Sequence, residues 1–113
     1  MRLRSDIWVS WLLRRVEADG AYVTVARRGA AEAGAVYIVL DRRDGTFDLL
    51  APAPQATFDD PSPERVFERL LDRADSGAVE SRLAQELRFD SDLWVIEIED
   101  REGRPFVEML RFS

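Results

Sequence analysis

The chain has 113 residues, 46% of them apolar and 34% charged, with a net charge of −6. Such a composition suits a globular protein, and the length suits a single domain over 1–113. There is no Cys, His, Lys or Asn, and all sixteen positive charges are Arg; this excludes disulfides, thiolate or imidazole catalysis, sulfur-built zinc sites, Schiff bases and the Walker phosphate loop, so neither a catalytic residue nor a cofactor nor a metal site is expected.

The first element is an N-terminal helix that opens at SDIWV, 5–9. Ser5 is placed to accept a hydrogen bond from the free N–H groups of the first turn, and Asp6 suits the positive end of the helix dipole. Trp8, Val9, Leu12, Leu13 and Val16 fall on one helical face, Ile7 and Trp11 form a second stripe beside it, and Gly20 ends the helix. The basic residues at the start precede an apolar run of only Ile7–Leu13, interrupted by Ser10 and closed by Arg14 and Arg15. A signal peptide or membrane span needs more than this, so the expected location is cytoplasmic.

AYVTVARR, 21–28, alternates as a strand, and AVYIVLD, 35–41, is apolar on both faces, as a central strand would be. Asp44-Gly45 marks a hairpin turn into the return strand TFDLLA, 46–51. Residues 52–63 hold four of the five prolines and predict a surface loop. In 64–73, the apolar positions 66, 67, 70 and 71 suit one face of a helix that starts after Ser62-Pro63, although the same letters also fit a strand. Residues 76–88 form a clearer helix with a Val79, Leu83, Leu87 stripe. SDLWV, 91–95, opens a strand with Trp94, Ile96 and Ile98 on one side and Glu97 and Glu99 on the other; after a turn at 101–103, residues 106–112 pair back on it. SDIWV and SDLWV thus precede different periodicities and are no repeat. The expected architecture is α+β: an N-terminal helix, a mostly antiparallel sheet of about five strands built from hairpins, and one or two further helices packed on one face.

MRLRSDIWVSWLLRRVE, the APAPQ loop and RLAQELRFDSDLWVIEIEDREGR together resemble the proteobacterial domain of unknown function 1491. The resemblance covers nearly the whole chain. It implies a bacterial, cytosolic protein, and it implies no activity and no site residues.

Two charge features qualify as candidate sites. Residues 1–45 carry eight Arg against six acids, and 46–113 carry eight against sixteen. A local anion patch could therefore form only from Arg14, Arg15, Arg27, Arg28, Arg42 and Arg43; the acid excess elsewhere opposes nucleic-acid binding. Asp90, Asp92, Glu97, Glu99, Asp100 and Glu102 crowd one segment and could serve a Mg²⁺-dependent hydrolase through hard oxygen ligands, but no Lys stands beside the strand acids to act as base. The solvated face of an edge strand explains those acids as well.

The N-terminal helix carries more apolar surface than one packing stripe requires. Either it is wedged between two layers, or Ile7 and Trp11 face a partner or a second copy of the chain. Tryptophan is a common interface anchor. The sequence therefore points to a non-enzymatic interaction module, with a protein partner or a second copy of the chain in a homodimer expected on this flank, and with a weak anion binder and a hydrolase as alternatives.

Overall fold

A computed structural model describes residues 3–54 and 65–110. The elements are α1 (Ser5–Ala18), β1 (Tyr22–Arg27), β2 (Val36–Asp41), β3 (Phe47–Pro52), β4 (Val66–Ala74), α2 (Ser76–Phe89), β5 (Trp94–Glu99) and β6 (Glu108–Met109). The class is α+β, with one six-stranded mixed sheet in the order β1-β5-β2-β3-β4-β6. Three pairings are antiparallel; β2–β5 and β4–β6 are parallel. The expectation of five hairpin-built strands is corrected accordingly.

Each helix covers one face of the sheet. Trp8, Val9, Leu12 and Val16 of α1 pack with Val36, Ile38, Leu40, Trp94, Ile96, Ile98 and Phe67. On the opposite face Val79, Leu83 and Leu87 of α2 pack with Val39, Leu49, Leu93 and Val95. The apolar character of β2 and β5 on both sides follows from this double cover. Asp75 caps α2 by accepting a hydrogen bond from the Ala78 N–H at 2.8 Å.

The start of α1 differs from the sequence expectation. Arg4 occupies the cap position and provides no side-chain cap. Ser5 is fully buried; its hydroxyl donates to the Gly34 carbonyl at 2.6 Å and accepts from Arg65 at 3.0 Å. The free N–H groups of Ser5 and Asp6 instead donate to the carbonyls of Glu32 and Ala31. The helix therefore starts by docking onto the loop between β1 and β2.

That loop also holds β5. β1 and β2 are not paired with each other; β5 lies between them and pairs with both. The Trp94 indole Nε1–H donates to the Ala30 carbonyl at 2.8 Å. The Trp94 backbone N–H donates to Ala35 O at 2.7 Å, and the Ala30 N–H to Asp92 O at 2.9 Å. The approach is close enough that a Cβ at Gly29 would collide with the Asp92 carbonyl and the edge of the Trp94 ring.

Residues 66–74 form a strand, correcting the helix expected over 64–73; residues 55–64, which include most of the predicted 52–63 loop, lie outside the described residues. The reason is a register shift. Leu50 pairs with Arg69 but Leu49 with Leu71, so β4 bulges at Leu70. One extra residue moves Phe67 to the α1 face and Leu71 to the α2 face; the bulge breaks the period of two and yields spacings that mimic a helix. The expected strand 106–112 is also corrected. Both edges of β5 are already occupied, so the chain after the turn has no place beside it. It passes on to the far edge, where, among the described residues, Glu108–Met109 pair in parallel with Val66 and Phe67 of β4; residues 111 and 112 of the expected strand lie outside the described residues.

Asp48 is a buried acid within the apolar strand β3. It accepts both a two-nitrogen hydrogen bond from the Arg42 guanidinium and the Arg73 N–H at 2.8 Å; Arg69 Nε lies 3.5 Å away. Burial pushes the carboxyl up, but the hydrogen bonds from Arg42 and Arg73 with the Arg42 and Arg69 charges outweigh it and hold it below the usual range.

These contacts make three substitutions diagnostic of stability. Gly29→Ala should lower stability by about 1–3 kcal/mol, because backbone must move to admit the methyl group. Gly77→Ala, in the first turn of α2 with only an ordinary contact to Asp75, should raise it by about 0.4–1 kcal/mol. Urea titrations check both. Asp48→Asn should lower stability by about 3–5 kcal/mol at pH 7, since it strands buried positive charge. A carboxyl with a depressed folded pKa contributes stability above its unfolded pKa and loses it as pH falls through the folded one. The gap between wild type and Asp48→Asn should therefore narrow below about pH 4; a gap unchanged with pH would mean that the Asp48 charge is not the stabilising element.

Candidate interaction surface

The side chains of α1 differ sharply in exposure. Trp8, on its core side, is 8% exposed; it stacks on Phe67 with ring centroids 5.6 Å apart and lies under the Arg65 guanidinium at 5.5 Å. Trp11 is one position round the helix, 5.9 Å from Trp8 and 41% exposed, with Arg15 at 5.5 Å from its ring. Ile7 is 50% exposed and Leu3 51%. Ile7 and Trp11, four residues apart in α1, form one outward stripe, and Leu3 precedes the helix. The wedge between two layers is not what the structure has: the flank that holds Ile7 and Trp11 is open.

Beside this stripe, α1 and β1 border a groove of about 370 Å³. Its walls are Val9, Leu13, Val25 and Trp94, with Ile7 at the outer margin and the polar groups of Asp6, Ser10, Arg14 and Arg28 around them. Asp6 is already engaged: Arg4 donates to both of its oxygens at 3.2 and 3.3 Å, and its own helix donates the Ile7 N–H at 2.8 Å. Those hydrogen bonds outweigh its desolvation and hold the Asp6 carboxyl low. Arg28 lies 5.0 Å above the Trp94 ring in a cation–π contact, and its charge also helps to hold the Asp6 carboxyl low. Arg14 makes no hydrogen bond or ion pair with any described residue.

The six candidate arginines do not form one patch. Only Arg14 and Arg28 share the groove. Arg15 stacks on Trp11, and Arg27 donates to the Ser91 carbonyl at 2.9 Å. Arg42 turns inward to Asp48, and Arg43 lies 3.6 Å from both Asp41 and Glu99. The candidate acids separate as well. Asp100 binds Arg104 through both oxygens at 3.0 Å, and Asp90 accepts the Asp92 N–H at 3.0 Å. From the segment 90–102, only Glu97 and Glu99 enter the one cluster of three acids among the described residues, where their oxygens lie within 4.8 Å of those of Asp41. Asp41 reaches them because β2 and β5 are parallel and pair Asp41 with Glu99. Burial, then the Asp41 and Glu99 charges, push the Glu97 carboxyl up. Three such oxygens have the chemistry to hold a hard cation, but Arg43 already offsets charge on two of them.

Sequence reasoning missed Asp41 as a member of this cluster, and it placed Arg14 with Arg28 only inside a six-arginine patch whose other four members lie elsewhere. Neither grouping is available from local spacing, since each depends on which strands become neighbours. The Asp48 pair did leave a signal, because a lone acid inside TFDLLA requires a buried partner.

The family model described as Protein of unknown function (DUF1491) matches residues 3–108. Protein Atu0922 from A. tumefaciens, solved in solution, is 42% identical with a TM-score of 0.85, covering 97% of this chain and 96% of that one. A DUF1491 family protein from Caulobacter crescentus CB15 is 39% identical; its crystal structure has a TM-score of 0.79, covering 97% of this chain and 99% of that one. Its NMR structure has a TM-score of 0.78, with coverage of 97% and 98%. Among curated proteins none matches this chain. With the family pattern running through nearly all its residues and the same fold in relatives of this identity, the chain belongs to the DUF1491 family.

Proposed function

We propose that this chain is a non-enzymatic protein-interaction module whose contact surface is the outward flank of α1. The observation that carries this reading is the exposure of Ile7 and Trp11 on adjacent turns, on a helix whose other side already fills the core. A tryptophan is costly to leave in water and common at the centre of interfaces. The missing His, Cys and Lys support the same reading by removing most catalytic groups. Nucleic-acid binding is less favoured, because the arginines are dispersed and the chain carries −6. The hydrolase reading is less favoured because Arg43 lies across Asp41 and Glu99. Among the described residues no helix is long and apolar enough to cross a membrane; a cytoplasmic setting is part of the proposal.

Self-association is the first contact to measure. Trp8→Ala should destabilise the fold by about 3–5 kcal/mol, the usual result of emptying a core aromatic site. Trp11→Ala should leave the chain folded at a much smaller loss, and should weaken association by about 2 kcal/mol as a hot-spot truncation does. Light scattering over a concentration series, with circular dichroism on both variants, checks this. A strictly monomeric wild type together with equal unfolding by both substitutions would reduce α1 to a structural helix.

A further inference from the structure

We infer that the groove between α1 and β1 takes an extended acidic peptide, which lies along β1 as a seventh strand; this rests on the interaction reading above and names its partner class. Among the described residues β1 pairs with β5 alone, and none of them pairs with its other edge. The two edges of the sheet are unequal. β6 is two residues long, which is one of the ways proteins protect an edge. β1 has six residues, and its first five, YVTVA, contain no charge and no proline. Its one protective feature is the register shift between Val25 and Arg27, near its end. Tyr22 is 75% exposed and Val25 38%. A long, uncharged, apolar edge is a template for a further strand.

The groove supplies the specificity. In an added strand, side chains on one face recur about every 6.6 Å, twice the rise per residue. Those on the α1 face would enter a groove with apolar walls at Leu13, Val25 and Trp94 and guanidinium groups at Arg14 and Arg28. Arg14 has no hydrogen-bond or ion-pair partner among the described residues, Arg28 lies over the Trp94 ring with its charge also acting on Asp6, and that groove acid is already hydrogen-bonded by Arg4. The groove thus presents two guanidinium groups against the single carboxylate of Asp6, which Arg4 already holds, on a chain whose net charge is −6. The complementary ligand has acidic side chains facing the guanidinium pair and apolar ones on Val25 and Trp94. The main-chain bonds along β1 require a peptide rather than a small carboxylate.

The probe is an acetylated, amidated hexapeptide of alternating glutamate and valine, titrated into the full ¹⁵N-labelled chain up to about 5 mM, the range in which weak single-site binding saturates. Saturable amide shifts confined to 22–28 and the facing side of α1 are expected, with slowed exchange of the β1 amides that do not face β5. Arg14→Glu, a change at an exposed site, should weaken binding at least about tenfold, as loss of a charge-assisted contact does. A version N-methylated at alternate residues should lose binding by a similar factor. No saturable shifts, shifts spread over other surfaces, or equal binding by an alternating lysine and valine peptide would overturn the proposal. Equal binding by the N-methylated peptide would also overturn it, leaving a carboxylate pocket without strand addition. If the peptide fails while Trp11→Ala still weakens self-association, the groove proposal falls and the α1 reading stands; if Trp11→Ala has no effect as well, both fall.

Discussion

β5 has to be inserted into a gap one strand wide, and the loop between β1 and β2 is what keeps that gap open and grips the strand that fills it. Gly29 and Gly34 let this loop approach the backbone at Asp92. Trp94 then gives its indole N–H and its main-chain N–H to the carbonyls of Ala30 and Ala35. The same loop turns the carbonyls of Ala31 and Glu32 toward the first turn of α1. Two elements distant from each other in sequence, α1 and β5, are therefore located by eight residues, 28–35. The consequences spread outward. Because β5 is flanked on both sides, residues after Gly103 cannot form a hairpin with it, and the last strand is displaced to the opposite edge. Because β5 runs parallel to β2, α2 must cross the sheet between β4 and β5, which puts a helix on the face that α1 does not cover.

Charge is distributed by the same constraint. Arg42 and Asp48 are consumed inside the fold, with Arg69 close by and Gly103 leaving room above the Arg42 guanidinium. Asp41, Glu97 and Glu99 come together at the ends of two parallel strands, where Arg43 moderates them. Among the described residues, the groups around α1 and β1 that the core does not use are Ile7 and Trp11 on the helix, Arg14 and Arg28 beside it, and the outer edge of β1. The proposed contact surface is built from these. Its two halves are chemically distinct, an apolar stripe suited to a folded partner and a basic groove suited to an extended one.

Much of the fold could be read from local pattern. α1, β1, β2, the Asp44-Gly45 hairpin with β3, α2 and the start of β5 follow from periodicity and turn chemistry, and the separation of Trp8 from Trp11 follows from their 300° of helical rotation, about 100° per residue. The failures have specific causes. β4 resembled a helix because the bulge at Leu70 shifts the apolar spacing from two to three or four. The C-terminal strand was placed on β5 because adjacency in sequence cannot reveal that β1 has already taken that edge. Ser5 resembled a cap because a hydroxyl at a helix start usually serves there; here carbonyls from a distant loop replace it and the hydroxyl is committed to Gly34 and Arg65. The groove pair Arg14 and Arg28 needed the same non-local knowledge, since it exists only when β1 lies against α1.

The central claim is that β5 is held at the heart of the sheet while the outer edge of β1 is left open for another chain. Residue-resolved amide hydrogen exchange on the free protein tests it most directly, because exchange reports both burial within the cooperative core and unpaired strand edges. The amides of β5 and β2 should exchange slowest, only through global unfolding, and those of β1 that do not face β5 should exchange rapidly. Exchange in β5 as fast as in β6, or uniform protection along β1 equal to that of β5, would contradict it.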